Sequence, residues 1–452
     1  PASSTPSAAL ASSLNAPNLL DDPLFAQSGI DSWQVGSGNN RAVYYPAASP
    51  VGPQYLEFTP GSSSTATLWQ NAAAPTAGQS YTASVYLQSP DGSQTATLVI
   101  WALGGSAATE IGQTSFTVGT TWSQFSAVLD VANTGHTLLR FQIYSPGPSL
   151  DVAGAMLQDA SLNDAGFSQG LGNWNVGSGQ YRAIYSSSSL PSGQNYLATT
   201  SWNDSQVTVW QDLANNLVDG DSYAASVWLR TTSSSASATV VLWGLGGSAP
   251  AELGQTQVTI GSSWQQVSTI LDVANTGYSL LRFQIYASPG SGELDVNGAA
   301  VENGGVPDGG FGNGIGSWMV PTGANRTIVT GSSSGPSGQN ALYTNSGSNS
   351  SDSLWQDIAG APVAGHAYTA SMFLQSETGS PFTVSVVVWA LGGSAPAQET
   401  TNTEAIGTSW TPISVGLDVG SAGHTFLRVQ IYLPGGDTLG VAGVTMPDTV
   451  LN

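Results

Sequence analysis

Apolar and polar residues alternate one by one along much of the chain, and one such run occurs three times. It reads Thr-Leu-Leu-Arg-Phe-Gln-Ile-Tyr at Thr137–Tyr144, Ser-Leu-Leu-Arg-Phe-Gln-Ile-Tyr at Ser279–Tyr286 and Thr-Phe-Leu-Arg-Val-Gln-Ile-Tyr at Thr425–Tyr432. In an extended chain, side chains point to opposite faces with period 2. Leu139, Phe141 and Ile143 therefore share one face, and Arg140, Gln142 and Tyr144 the other. The run predicts a sheet strand with an oily side and a side carrying a cation, an amide and a phenol.

The copies recur at intervals of 142 residues (140 to 282) and 146 residues (282 to 428). Each is large enough to bury a core of its own, so the copies read as tandem domains rather than as solenoid units. Other signals keep the same order in each. An opening Phe and Trp followed by an Arg appear as Phe25, Trp33 and Arg41, as Phe167, Trp174 and Arg182, and as Phe311, Trp318 and Arg326. Leu68-Trp69-Gln70, Val209-Trp210-Gln211 and Leu354-Trp355-Gln356 come next. Alternating runs follow at Tyr81–Leu87 and Thr97–Trp101, the latter ending in Leu103-Gly104-Gly105-Ser106. A strand opening at Trp122, Trp264 or Trp410 ends at Asp130, Asp272 or Asp418. About ten short strands per copy, and no amphipathic helix, predict an all-β chain of three antiparallel jelly-roll sandwiches. The expected divisions are an N-terminal extended arm at 1–17 and sandwiches at 18–162, 163–305 and 306–452. No Ser/Thr/Pro linker separates the copies, which predicts a stiff, linkerless rod.

The arm is an Ala/Ser/Pro stretch with Leu10 and Leu14 four residues apart. Alone it is expected to be disordered. An intramolecular groove or a neighbouring subunit are the two places where it would dock, which makes Leu10 and Leu14 the candidate assembly residues.

The charge inventory narrows the partners. Acidic residues number 28 and basic ones 7, all of them arginine, for a formal net charge of −21. Charged residues make up 8% of the chain, against about a quarter in ordinary domains. Nucleic acid and anionic membrane both require a basic footprint, and neither is an expected partner. No apolar run approaches a membrane span. Cysteine is absent, which removes disulfides and thiolate chemistry. The opening Pro1-Ala2-Ser3-Ser4-Thr5-Pro6 reads as a mature terminus left after signal cleavage, so a secreted or cell-surface protein is expected. A surface wetted by uncharged polar groups changes little with pH and would suit an acidic habitat. Asn203, Asn325 and Asn349 open glycosylation sequons.

With the opening Phe and Trp, the segment Pro75–Ser84 (Pro-Thr-Ala-Gly-Gln-Ser-Tyr-Thr-Ala-Ser, repeated at Pro362–Ser371) and the later Trp, each copy resembles carbohydrate-binding module families 4, 9 and 22. The resemblance covers about residues 18–452. It implies a jelly-roll sandwich, one sheet of which binds glycan chains in many members. It also implies a structural calcium, held by an acidic residue after the opening Phe and an Asp pair in the last strand. Here those places hold Ala26, Ser168 and Gly312, and Ala153-Gly154-Ala155. A hard cation needs several oxygens, so no cofactor or metal is expected.

Strand alternation assembles a candidate glycan face. In copy 1 it comprises Trp69, Tyr86, Trp101, Arg140, Gln142 and Tyr144. The equivalents are Trp210, Trp228, Trp243, Arg282, Gln284 and Tyr286, then Trp355, Phe373, Trp389, Arg428, Gln430 and Tyr432. Aromatic planes suit the C–H face of a sugar, and guanidinium and amide groups suit its hydroxyls. Aromatic residues are equally ordinary strand formers. Trp33, Trp122 and their equivalents are assigned to the core, and Trp202 and Arg230 occur in copy 2 alone.

Catalysis finds no constellation. His136 and His424 are equivalent, but Tyr278 replaces them in copy 2, and His366 has no partner at metal spacing. Gly331-Ser332-Ser333-Ser334-Gly335 matches a nucleophile-elbow string without a following helix. Asp130, Asp272 and Asp418 recur without the second carboxylate a glycosidase needs. The sequence points to a non-catalytic protein. Its first reading is a self-assembling structural subunit of an extracellular fibre, filament or layer, partnered by copies of itself through edge strands and the arm. The alternative is a polysaccharide-binding array that gains avidity from three copies.

Overall fold

The computed structural model describes residues 18–446 except 26–31, 46–48, 53, 62–64, 188, 202–205, 215–216, 321–324, 330–334, 337–339 and 346–350. The arm with Leu10 and Leu14, Ala26, Trp202, Asn203, Ser332 to Ser334 and Asn349 lie outside the described residues.

The described elements are all strands, and each copy is a sandwich of two antiparallel sheets. Copy 1 runs β1 Gln34–Val35, β2 Asn40–Tyr44, β3 Tyr55–Thr59, β4 Ala66–Ala72, β5 Ser80–Gln88, β6 Gln94–Leu103, β7 Glu110–Val118, β8 Ser123–Asp130, β9 Leu138–Ser145 and β10 Leu150–Asp159. The first sheet has the order β1-β4-β9-β6-β7 and the second β2-β3-β10-β5-β8. Copy 2 repeats both orders from Asn175–Val176 to Leu294–Asn303. In copy 3 the first strand is reduced to a bridge between Met319 and Trp355.

The alternation read from the sequence is the burial pattern observed. Leu139, Phe141 and Ile143 are fully buried between the sheets, while Arg140 and Tyr144 are part-exposed. The opening Phe and Trp plug one end of each core. Trp33 lies 5.1 Å from Phe25 and meets Phe141 edge-on at 5.6 Å. Phe25, Phe167 and Phe311 all adopt positive φ (58°, 56° and 56°), a costly conformation for a bulky residue. Burial of the ring offsets that cost. The Trp-Gln motif secures the same turn from beneath. Buried Gln211 donates Nε2–H to the carbonyl of Asn163 at 2.9 Å and accepts the Asn163 amide at 2.8 Å. Gln70 does the same with Asp21. Gly105, at φ +69°, closes the turn after β6, where a Cβ would collide with the carbonyl of Gly135.

The sandwich fold is as the sequence predicts, but the copies do not string out as a rod. The end of each copy that carries β7 and β8 meets the opening turn of the next, and copy 3 meets copy 1. Asp130 accepts Ser80 Oγ–H at 2.5 Å and the amides of Gly166 and Ser168 of copy 2 at 3.2 and 3.1 Å. Asp272 likewise accepts Ser222 Oγ–H at 2.5 Å and the amides of Gly310 and Gly312 of copy 3 at 3.1 and 2.6 Å. At the third joint, Gly416 donates its amide to the carbonyl of Val51 at 2.8 Å, and Asn402 Nδ2 donates to Pro50 O at 3.2 Å. Leu24, Val51 and Ala153 of copy 1 form an apolar cluster there with Ala367 of copy 3. Three such joints close a ring. Its middle holds a cavity of about 240 Å³ lined from all three copies, by Ser84, Ser226 and Ser371 among others. The missing linkers thus have a physical reason. Ala160 and Leu162 leave β10 of copy 1 and pack at once into the core of copy 2.

Candidate functional site

The outer face of the first sheet gathers most of the predicted residues, in the same rows in each copy. In copy 1, Arg140 stands between Asn71 on β4 and Trp101 on β6. The next row is Trp69, Gln142 and Val99, and the third is Thr67, Tyr144 and Thr97. Copy 2 gives Asp212, Arg282 and Trp243, then Trp210, Gln284 and Val241, then Thr208, Tyr286 and Thr239. Copy 3 gives Asp357, Arg428 and Trp389, then Trp355, Gln430 and Val387, then Ser353, Tyr432 and Ser385.

Each arginine is fixed on two sides. Its guanidinium carbon sits 5.5, 5.6 or 5.8 Å from the ring centre of Trp69, Trp210 or Trp355, within cation–π range. Arg282 also donates Nε–H and Nη2–H to the two carboxylate oxygens of Asp212 at 2.5 and 2.9 Å, and Arg428 repeats this with Asp357. These carboxylates hold both guanidinium groups above their usual pKa range. Copy 1 differs. Arg140 Nε donates to the neutral Oδ1 of Asn71 at 2.8 Å, where copies 2 and 3 have a carboxylate, and it forms no ion pair among the described residues. Sequence reasoning missed these anchors, although the signal is a recurring one, two residues beyond the Trp: Trp69-Gln70-Asn71, Trp210-Gln211-Asp212 and Trp355-Gln356-Asp357. Trp101, Trp243 and Trp389 are part-exposed and their indole N–H groups are covered, so the ring is what each presents. Gln142 and Gln284 are buried beneath this face and Gln430 is part-exposed. What copies 1 and 2 present is therefore a fixed guanidinium, a phenol and two indoles, which can stack on apolar ring faces and bond to hydroxyls.

Three predicted members belong elsewhere. Tyr86, Trp228 and Phe373 are on β5 and its equivalents, which are strands of the second sheet. That sheet's outer face turns to the ring's interior. Tyr86 packs against the apolar cluster at the third joint, where burial raises its pKa, and Trp228 lines the axial cavity. Alternation orients a side chain on its own strand but does not say which sheet the strand joins.

Trp122, Trp264 and Trp410 need the opposite correction. They are part-exposed on the second sheet rather than in the core, unlike Trp33, Trp174 and Trp318. Trp122 meets Tyr55 at 5.6 Å and Trp264 meets Tyr196 at 5.8 Å.

The remaining polar candidates have structural partners. Asp130 and Asp272 hold the joints. Ser168 and Gly312, which stand where the family resemblance implies a calcium ligand, direct their amides at those carboxylates. His136 Nε2 lies 3.6 Å from Glu110, which also receives the amides of Ala132 and Asn133 at 2.9 Å, so this cluster anchors a loop. His424 faces Gln398 at 3.1 Å, and Tyr278 donates its hydroxyl to the Pro250 carbonyl at 2.6 Å in the same place. Among the described residues no acidic or histidine group is spaced to hold a metal.

The protein resembles solved carbohydrate-binding modules in fold. The N-terminal CBM22-1–CBM22-2 tandem domain of Paenibacillus barcinonensis Xyn10C is similar at 15% identity and a TM-score of 0.29, over 65% of this chain and 99% of that one. The C-terminal family 22 carbohydrate-binding module of Clostridium thermocellum Xyn10B is similar at 15% identity and 0.26, over 30% and 89%. The enzymatically active domain of Bacteriophage CBA120 tailspike protein 4 is similar at 12% and 0.28, over 31% and 21%. At these identities and scores they establish neither family membership nor a ligand. No family model and no curated protein matches the sequence.

Proposed function

We propose that the protein is an extracellular, non-catalytic polysaccharide-binding array whose three first-sheet faces engage glycan chains together. The observation that carries this reading is the Trp–Arg–Trp arrangement, built in the same rows three times and held by its own acid or amide. Ordinary core maintenance does not require a part-exposed guanidinium to be held against one indole by an acid or amide, with a second indole beside it on the next strand. Three weak faces on one chain would multiply into useful avidity wherever a polymer can span them. The fibre subunit expected from the sequence is less favoured, since the ends that a rod would offer to a neighbour meet each other at the third joint.

Retention on gels cast with a panel of neutral and acidic polysaccharides tests the reading. The parent protein is expected to be retarded by at least one. Changing Trp101, Trp243 and Trp389 together to Ala should abolish the retardation while the far-ultraviolet spectrum stays that of a β-sandwich. A parent that migrates unretarded on every gel ends the proposal.

A further inference from the structure

The second sheet carries a separate aromatic face, which the three copies have furnished differently. In copy 2, the guanidinium carbon of Arg230 lies 4.5 Å from the ring centre of Trp264 and 5.2 Å from that of Tyr196. Its Nε–H donates to Asp295 Oδ2 at 2.7 Å. The Asp295 side chain is 1% exposed and that of Arg230 is 31% exposed. The cation thus covers a buried carboxylate between aromatic walls, joining a charge-assisted hydrogen bond to cation–π contact.

Copy 1 keeps the floor and the walls but lacks the arginine. Asp151 stands opposite Gln88 and Glu57, where copy 2 has Asp295 opposite Arg230 and Ala198. Trp122 and Tyr55 meet at 5.6 Å and 66°, matching Trp264 and Tyr196 at 5.8 Å and 79°. Tyr44 backs Tyr55 at 5.2 Å, as Tyr185 backs Tyr196 at 5.6 Å. Gln88, at the position of Arg230, directs its amide to the Thr120 carbonyl at 2.6 Å instead of to the carboxylate. Asp151 is 3% exposed, and its Oδ1 has no hydrogen-bond partner among the described residues. Burial first, then the neighbouring charges of Glu57 and Asp91, push Asp151 up to about 7, whereas Asp295, which burial also raises, is drawn back to about 6 by Arg230. Copy 3 has dismantled the floor: Gly440 and Tyr343 occupy the positions of Asp151 and Glu57.

We propose that Asp151, Glu57, Tyr55 and Trp122 form a binding site for an organic monocation, best fitted by a guanidinium group, and that Arg230 in copy 2 is the built-in form of that ligand. A planar guanidinium can lie against the indole and still direct N–H groups at Asp151. A bare hard cation suits the place less well, since it takes roughly six or more oxygens and two carboxylates beside aromatic rings fall short of that number. This site is independent of the glycan faces, being on the other sheet.

Calorimetric titration of the full chain with methylguanidinium chloride, against sodium chloride at equal ionic strength, tests the assignment. One saturable site is expected, with methylammonium binding more weakly. Asp151→Asn should weaken it by about tenfold or more. Gln88→Arg should supply the occupant internally and abolish binding, and Arg230→Gln should open a second site and raise the stoichiometry to two. Absence of saturable binding to the parent overturns the proposal. So does binding that Asp151→Asn and Gln88→Arg both leave unchanged.

Discussion

Leu24 occupies the space that a side chain at Gly416 would take, since a Cβ built on Gly416 would collide with the leucine's methyl groups. The other two joints are built the opposite way round. Val128 and Ile270, the equivalents of Gly416, pack on Gly166 and Gly310, the equivalents of Leu24. Ser80 and Ser222, which hydrogen-bond the joint carboxylates, are replaced by Ala367 at the closing joint. Knob and hole are therefore exchanged where the ring closes. That exchange lets copy 3 accept copy 1 and discourages wrong pairings, since a mismatched joint would set two bulky residues or two glycines against each other. Gly416→Val should destabilise the closed ring by about 1–3 kcal/mol through overpacking. Leu24→Gly alone should also destabilise, by leaving a cavity. The double variant should recover a substantial part of the loss, as a positive coupling in the cycle. Small-angle scattering and thermal unfolding on the four proteins measure this, and strictly additive losses would count against the fit.

The joints also carry a pH dependence whose sign can be worked out. Asp308 is pushed up to about 6 by burial and by neighbouring Asp272, and Asp164 up to about 7 by burial and by Asp130. Both values lie above the ordinary aspartate value of about 3.9. A carboxyl whose folded pKa is raised contributes most when protonated, so its contribution is full below about pH 4 and is lost as pH rises through 6 to 7. Asp151, Asp159 and Asp295 shift the same way. The unfolding temperature should therefore fall between pH 5 and pH 8. Asp164→Asn and Asp308→Asn should flatten that fall, because each keeps the neutral form. Stability that rose with pH across this range would contradict the arrangement.

How much of this could be read from the residues divides along physical lines. Periodicity of 2 is a property of one strand, and it placed Leu139 inward and Arg140 outward correctly. The first-sheet rows follow from it, because Trp69, Arg140 and Trp101 each sit in an alternating run. Sheet membership is a property of pairing between distant strands, and nothing in the run around Tyr86 tells that it belongs to the second sheet. Trp122 precedes its strand and has no alternation of its own to orient it. Ring closure left a fainter trace still. It rests on single Gly-for-Val and Leu-for-Gly exchanges, at Val128, Gly166, Leu24 and Gly416, which mean little until the joint brings them together.

The copies should not be equivalent toward charged glycans. Arg282 and Arg428 are neutralised by Asp212 and Asp357, whereas Arg140 faces Asn71. If the first-sheet faces bind polysaccharide, copy 1 should contribute most to retention on uronic-acid polymers. Asn71→Asp should remove that preference while leaving retention on neutral polymers within a small factor. Its effect on stability should be slight, within about 1 kcal/mol, since part-exposed ion pairs contribute little. Equal loss on both classes of gel would show that the charge of Arg140 is not being used.

The two tryptophan sets of copy 2 give the sharpest check on which aromatic groups hold the sandwich together. Trp174 is 3% exposed, touches Phe167 at 5.3 Å and Phe283 at 5.9 Å, and donates its indole N–H to the Asp164 carbonyl at 3.1 Å. Truncating it removes a core ring and one of the two hydrogen bonds the Asp164 carbonyl accepts, the other coming from the Phe167 amide, for a cost of about 3–5 kcal/mol. Trp264 is part-exposed on the second sheet, and its main contacts are Tyr196 and the guanidinium of Arg230. Trp264→Ala should forfeit the cation–π contact and some packing, about 1–2 kcal/mol. Urea unfolding followed by circular dichroism should thus show a much larger fall in midpoint for Trp174→Ala than for Trp264→Ala. The reverse order would return Trp264 to the core and remove the wall on which Arg230 rests.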